Sequence, residues 1–159
     1  MTGGSPISFK GIDHVVLRVT DIERSLQFYC GTLGLALERI IEDLQIYQLR
    51  CGASLIDLQV TAPEAPLAPR AQRGIEHLCL MVEGDFAAVR RHLEAQGIPV
   101  VFGPVELYGA TGFGTSVYVR DPDEHTLELK ASYAEFPLRI TLRDAMAGST
   151  RPATDPRPD

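Results

Sequence analysis

The stretch GIDHVVLRV (11–19) recurs in altered form as GIEHLCLMV (74–82). Each copy opens on Gly-Ile and sets an acid before a histidine, Asp13-His14 in the first and Glu76-His77 in the second. Each then continues as an apolar run of β type. The histidines lie 63 residues apart (77 − 14). A chain that repeats a segment carrying a metal-ligand residue can bring two imidazoles together across a pseudo-twofold axis.

The sequence around each copy repeats as well. After the first, a strand at 12–19 leads to Asp21, a fair helix N-cap. Ile22, Leu26, Tyr29 and Leu33 fall near helical spacing and predict an amphipathic helix of about three turns, stopped by Gly31 and Gly34. Strands follow at 35–41, 44–50 and 54–60, the last two joined through Cys51-Gly52-Ala53. After the second copy, a strand at 75–82 leads to Asp85 and a helix with Phe86, Val89 and Leu93 on one face. Gly97 and Pro99 end that helix. A strand starts at 100–102, and the Gly-rich stretch 103–114 is expected to be a mobile loop over the site. Strands at 116–120 and 126–130 flank a turn, Asp121-Pro122-Asp123-Glu124. Both units read βαβββ, with residues 62–73 as linker.

The echo has a period of about 63 to 69 residues, too long and in too few copies for a solenoid. The expected fold is α+β, two βαβββ modules pairing their sheets into a curved cup with helices outside. The modules span 11–62 and 74–131 of one domain, 11–131. Residues 1–10 are expected to be a flexible N-terminus. Residues 132–159 are expected to be a C-terminal extension, disordered at its end (AGSTRPATDPRPD, 147–159).

Composition narrows the partners. The chain has 159 residues, a formal charge of −6 and 45% hydrophobic residues. The acidic balance excludes nucleic acid, whose recognition rests on clustered Lys and Arg. No apolar run approaches the roughly eighteen residues of a membrane helix, and residues 1–10 lack the basic start and apolar stretch of a signal peptide. A cytoplasmic protein without membrane partners is expected. Three cysteines without CxxC spacing read as reduced thiols, Cys79 as a small core residue. His92 and His125 are expected to be solvated.

Period two along the strands picks out the chemistry. His14, Val16 and Arg18 share one face, His77, Cys79 and Met81 another. On the last strand Glu128 stands between Leu127 and Leu129, and a buried carboxylate needs a partner. His14, His77 and Glu128 make a two-histidine, one-carboxylate set, suited to one divalent first-row ion: Fe, Ni, Co, Zn or Mn. Leu58-Gln59-Val60 echoes Leu127-Glu128-Leu129, so Gln59 is the expected fourth inward group, with Asp57 on the same face in reserve. Such a centre acts as a Lewis acid toward a substrate oxygen and stabilises an enolate or alkoxide. No nucleophile elbow or phosphate-binding fingerprint is present.

These residues carry a family resemblance. Asp13-His14, the phrase from Ser25 to Leu35, Gly74-Ile75-Glu76-His77, and Val117-Tyr118-Val119-Arg120-Asp121-Pro122-Asp123 through Leu129 resemble the vicinal oxygen chelate superfamily. That group holds glyoxalase I, methylmalonyl-CoA epimerase, extradiol dioxygenases, fosfomycin-resistance thiol transferases and bleomycin-binding proteins. The resemblance covers about residues 11–131. It implies a small-molecule substrate, a frequent homodimer, and metal ligation by His14, His77 and Glu128. It also implies that the segment around Gln59 supplies a fourth ligand and that Tyr118 faces the site. Tyr118, Arg18, Arg120 and Phe113 are the candidate substrate contacts, Glu128 and Asp57 the candidate catalytic groups. Two departures stand out. Glu124 replaces the usual Gly of the turn, leaving its shape open. Gln59 stands where glyoxalase I carries a carboxylate, so Asp57 or Glu106 would have to serve as base.

The leading expectation is a metal-dependent lyase or isomerase of glyoxalase type, acting on a small oxygenated metabolite. The alternatives are an Fe(II) extradiol-type dioxygenase, an antibiotic-resistance thiol transferase and a metal-free drug-binding protein.

Overall fold

A computed structural model describes residues 9–62 and 66–132. The expectations for residues 1–8 and for the extension beyond 132 fall outside the described residues. The chain divides into two compact units, the second beginning at Gly74.

The first unit holds β1 (His14–Val19), α1 (Ile22–Leu26), β2 (Ala36–Ile41), β3 (Ile46–Cys51) and β4 (Ser54–Val60) in a sheet ordered β1-β4-β3-β2. β1 runs parallel to β4 and the other pairs are antiparallel. The Asp21 side chain caps α1 by accepting from the Arg24 amide at 3.1 Å. The expected three-turn α-helix is only partly realised. It widens after Leu26 into π-helical turns over Gln27–Thr32, with Leu33 N–H bonded to Phe28 C=O. The i→i+5 winding puts two consecutive aromatics on the buried side. Phe28 and Tyr29 are buried and meet edge to face at 5.1 Å. Ser25, Phe28, Tyr29 and Thr32 are therefore the covered residues, while Leu26 and Leu33 are half-buried. Leu17, Val19, Leu49, Ile56 and Leu58 complete this core, all on one face of the sheet. Each such side chain contributes about 1.5–3 kcal/mol on burial.

The second unit repeats the order with β5 (Leu78–Val82), α2 (Phe86–Ala95), β6 (Phe102–Gly109), β7 (Gly112–Arg120) and β8 (Thr126–Ala131), ordered β5-β8-β7-β6. Asp85 caps α2 through the Ala87 amide. At the other end Ile98 N–H reaches Leu93 C=O and Gly97 N–H reaches Glu94 C=O, a Schellman closure with Gly97 at φ +69. Phe86 and Leu93 of α2 are buried, as are Val117, Val119, Leu127 and Leu129 of the sheet. Val89 is half-buried.

The Gly-rich stretch is not a loop. Residues 102–109 and 112–120 form a β-hairpin closed by Ala110-Thr111. Its glycines permit close strand approach. A Cβ at Gly103 would stand 2.6 Å from the Ser116 carbonyl oxygen, and one at Gly114 1.9 Å from that of Ala131. Read as punctuation these residues suggest a loop; in the sheet they are where backbones crowd.

Both histidine strands start later than the repeat suggests. β1 begins at His14 and β5 at Leu78, where pairing with Leu127 opens the ladder, so His77 lies just ahead of its strand. The turn after β7 answers the question raised by Glu124, which adopts φ +65 and pairs with Arg120 at 2.8 Å. Asp121 Oδ1 accepts from the Asp123 and His125 amides. The left-handed turn is kept without glycine, and His125 is half-buried instead of solvated. Among the described residues no helix is long and apolar enough to cross a membrane.

Candidate metal centre

In the second unit the register sets Cys79, Glu128 and Tyr118 side by side on one face. Met81, Lys130 and Ser116 form the next row on the same face. Glu128 is only 5% exposed and its carboxylate is held from two sides. The Ser116 hydroxyl donates to Oε1 at 2.5 Å, and His77 Nε2 lies 3.1 Å from Oε2. His77 in turn bonds through Nδ1 to the Glu76 carboxylate, and its ring meets Tyr118 edge-on at 5.4 Å. A carboxylate only accepts, so the Nδ1 proton faces Glu76 and Nε2 of a neutral ring keeps its lone pair.

That lone pair faces a carboxylate oxygen, and two acceptors 3.1 Å apart repel unless a positive charge sits between them. A proton or a bound cation meets that need.

The same face depresses acidity around it. Burial, and then the Glu128 carboxylate beside it, push the Tyr118 phenol well above its usual range, so it remains a donor. Cys79 corrects an expectation: it is exposed, not a core residue. Its sulfur is still partly desolvated, which together with Glu128 pushes the thiol up to about 12.

The first unit carries the matching polar face. His14, Val16 and Arg18 of β1 align with Leu55, Asp57 and Gln59 of β4, and these with Arg50, Gln48 and Ile46 of β3. His14 Nδ1 bonds to Asp13 Oδ1 at 2.7 Å, repeating the Glu76–His77 arrangement. That bond raises the imidazole pKa; partial desolvation opposes it and the Asp57 carboxylate adds to it. Asp57 is 4% exposed, and Gln48 Nε2 donates to both of its oxygens at 3.2 and 3.0 Å. Gln59 is half-buried on the same face.

His77, Glu128 and Tyr118 are thus brought together in one unit, and His14, Asp57, Gln59 and Arg18 share a face of the other. Among the described residues no group of three or more His, Cys, Asp or Glu forms a metal-holding cluster. Arg120, a candidate substrate contact, is engaged by Glu124 in the turn. Phe113 is 60% exposed and meets Tyr108 edge to face, and alternation along β7 sets it on the face opposite Ser116 and Tyr118. Glu106, weighed as a spare base, pairs with Thr115 and so also points away from Glu128.

Two polar residues escaped the sequence reading: Ser116 and Gln48. Period two counted back from the Asp-Pro-Asp turn places Ser116 with Tyr118 on the Glu128 face, and that signal was available. Period two along β8 sets Lys130 on the Glu128 face, but the bond its buried Nζ donates to Gly112 C=O at 3.0 Å could not be foreseen while 103–114 read as a loop.

The sequence matches the model of the Glyoxalase/Bleomycin resistance protein/Dioxygenase superfamily over residues 11–129, and the chain belongs to that superfamily. The glyoxalase domain-containing protein RDO1 of Mycosarcoma maydis is 33% identical over 126 residues, covering 79% of this chain and 70% of that protein. Virulence protein STM3117 of Salmonella typhimurium is 36% identical over 119 residues, 74% of this chain and 81% of that protein. Its crystal structure aligns with a TM-score of 0.67 at 34% identity, over 80% of this chain and 100% of that one. Glutathione transferase FosA of Serratia marcescens is 27% identical over 120 residues, covering 76% and 79%.

Proposed function

We propose that this chain is a divalent-metal-dependent lyase or isomerase of glyoxalase type, acting on a small oxygenated metabolite. One observation carries the reading: His77 Nε2 and Glu128 Oε2 face one another at 3.1 Å with Nδ1 already engaged by Glu76. Two donors each about 2.1 Å from one first-row ion, at right angles, stand about 3 Å apart. The pair fits such an ion in spacing and in donor type, and the acid behind the imidazole is the outer partner that metal-bound histidines use. His77 and Glu128 would hold the ion; His14 and Gln59 are the candidate ligands that the first unit offers.

When bound, the ion supplies Lewis acidity toward substrate oxygens. The remaining work falls to the chain. Asp13 and Glu76 fix the two imidazoles with Nε2 outward. Asp57, clamped by Gln48, is an acceptor on the His14 face and the candidate proton-transfer base. Tyr118 keeps its proton and donates from the Glu128 face. Arg18 is the candidate substrate cation, on the face it shares with His14.

A second reading, thiol transfer to a small electrophile, draws on the 27% identity to glutathione transferase FosA and on Tyr118 beside His77. A homodimer belongs to the proposal. Val16, Met81 and Phe102 are 42, 45 and 53% exposed on the faces bearing the candidate ligands, apolar surface that a second copy would cover.

Elemental analysis of untagged protein purified without chelator tests the main reading, beside His77→Ala. About one equivalent of Ni, Co, Zn or Mn, lost in the variant, is the expected result. One equivalent of Fe would redirect the assignment to extradiol dioxygenation. No metal in either protein, even after reloading, would leave a binding module.

A further inference from the structure

Resting on that metal-centre reading, we infer that Ser116 is a positioning residue that dictates which oxygen Glu128 offers to the ion. Ser116 is fully buried and its hydroxyl occupies Oε1 at 2.5 Å, while Oε2 is the oxygen turned to His77. The two contacts divide the carboxylate. One oxygen is reserved by a hydrogen bond from within the sheet, and the other is presented to the candidate ligand beside it.

A carboxylate is free to bind an ion through one oxygen or both. With Oε1 held by Ser116, Glu128 would offer an ion Oε2 alone. The restraint is built into the sheet: Ser116 lies on β7 diagonally across from Glu128, one row from its register partner Tyr118. Burial strengthens the restraint, because no water competes for the hydroxyl's proton.

The test is cobalt(II) binding, followed by visible absorption, in wild type, Ser116→Ala, Ser116→Thr and Ser116→Val. Thr and Val share one shape and differ by the hydroxyl, so that pair separates hydrogen bonding from packing. Expected is wild-type affinity and spectrum for Ser116→Thr. For Ser116→Ala and Ser116→Val, affinity should fall about 10- to 100-fold, the usual cost of removing an outer partner of a metal ligand, with altered d–d bands. Thermal melting of the apo-proteins confirms folding, and if the Val variant does not fold, Ser116→Ala decides. Unchanged affinity and bands in Ser116→Ala overturn the inference, as does a Thr variant as weak as the Val variant. Wild type that takes up no cobalt overturns the metal-centre reading itself, an outcome distinct from either.

Discussion

His77 Nε2 stands 3.1 Å from the Oε2 of Glu128, and that carboxylate is otherwise enclosed by its own sheet. In metal-free protein His77 and Ser116 are the two side chains that face the buried carboxylate. Replacing His77 by Ala removes that partner and leaves Ser116 alone against the charge. We expect His77→Ala to lose about 1–3 kcal/mol in urea unfolding of the apo-protein, the range for a buried polar group deprived of a partner. Unchanged stability would mean the two groups do not interact in solution.

The hairpin of β6 and β7 depends on missing side chains. A methyl group at position 114 would stand 1.9 Å from the Ala131 carbonyl oxygen and 2.6 Å from Lys130 Nζ. The first is backbone and cannot step aside. Gly114→Ala should cost at least about 1–3 kcal/mol, as overpacked substitutions do. Gly112→Ala makes a useful comparison: it meets nothing within 4 Å but must hold φ +97. Strain there should destabilise it without any steric overlap, and since the Gly112 carbonyl accepts from Lys130 Nζ, both variants should shift the Lys130 resonances in NMR spectra.

Much of this was legible in the residues. The doubled acid-histidine phrase, the capping aspartates and the period-two faces gave both βαβββ units and singled out Glu128 as a buried carboxylate. What failed did so for physical reasons. Gly103 and Gly114 mark close backbone approach, which composition cannot distinguish from a loop. Cys79 lies in an apolar run, but its strand turns that side chain to the exposed face. The π-turns at Gln27–Thr32 were hidden because Phe28 and Tyr29 fit no single helical stripe.

The Asp13–His14 bond sets a pH dependence in metal-free protein. Its folded pKa is raised above 6.5. The stabilisation is therefore fully present below that value and is lost as pH rises through the raised pKa. Asp13→Asn should move the His14 titration to lower pH, read from its imidazole proton shifts. An unmoved midpoint would show that Asp13 does not hold the ring.

Glu38 and Arg50 run the other way. Two short bonds, 2.6 and 2.7 Å, join them across β2 and β3, and Arg50 holds the Glu38 carboxyl below its usual range. Stability from this pair is present above about pH 4.5 and falls away as pH drops through the lowered pKa. Both side chains are substantially exposed, so the effect is small. Glu38→Gln should melt slightly below wild type at pH 7, and the gap should narrow as pH falls below 4.5. A gap that stays constant with falling pH would assign the difference to packing.

The acid that orients each imidazole is its immediate chain neighbour, Asp13 for His14 and Glu76 for His77. Two consecutive codons therefore carry both a prospective ligand and its alignment. A segment copied or transplanted within a gene would take this pairing along intact, with no matching change required elsewhere. On this view the doubling of the phrase supplied a second aimed imidazole in one event. Grafting either dipeptide onto the head of another edge strand would be a short route to an engineered ligand.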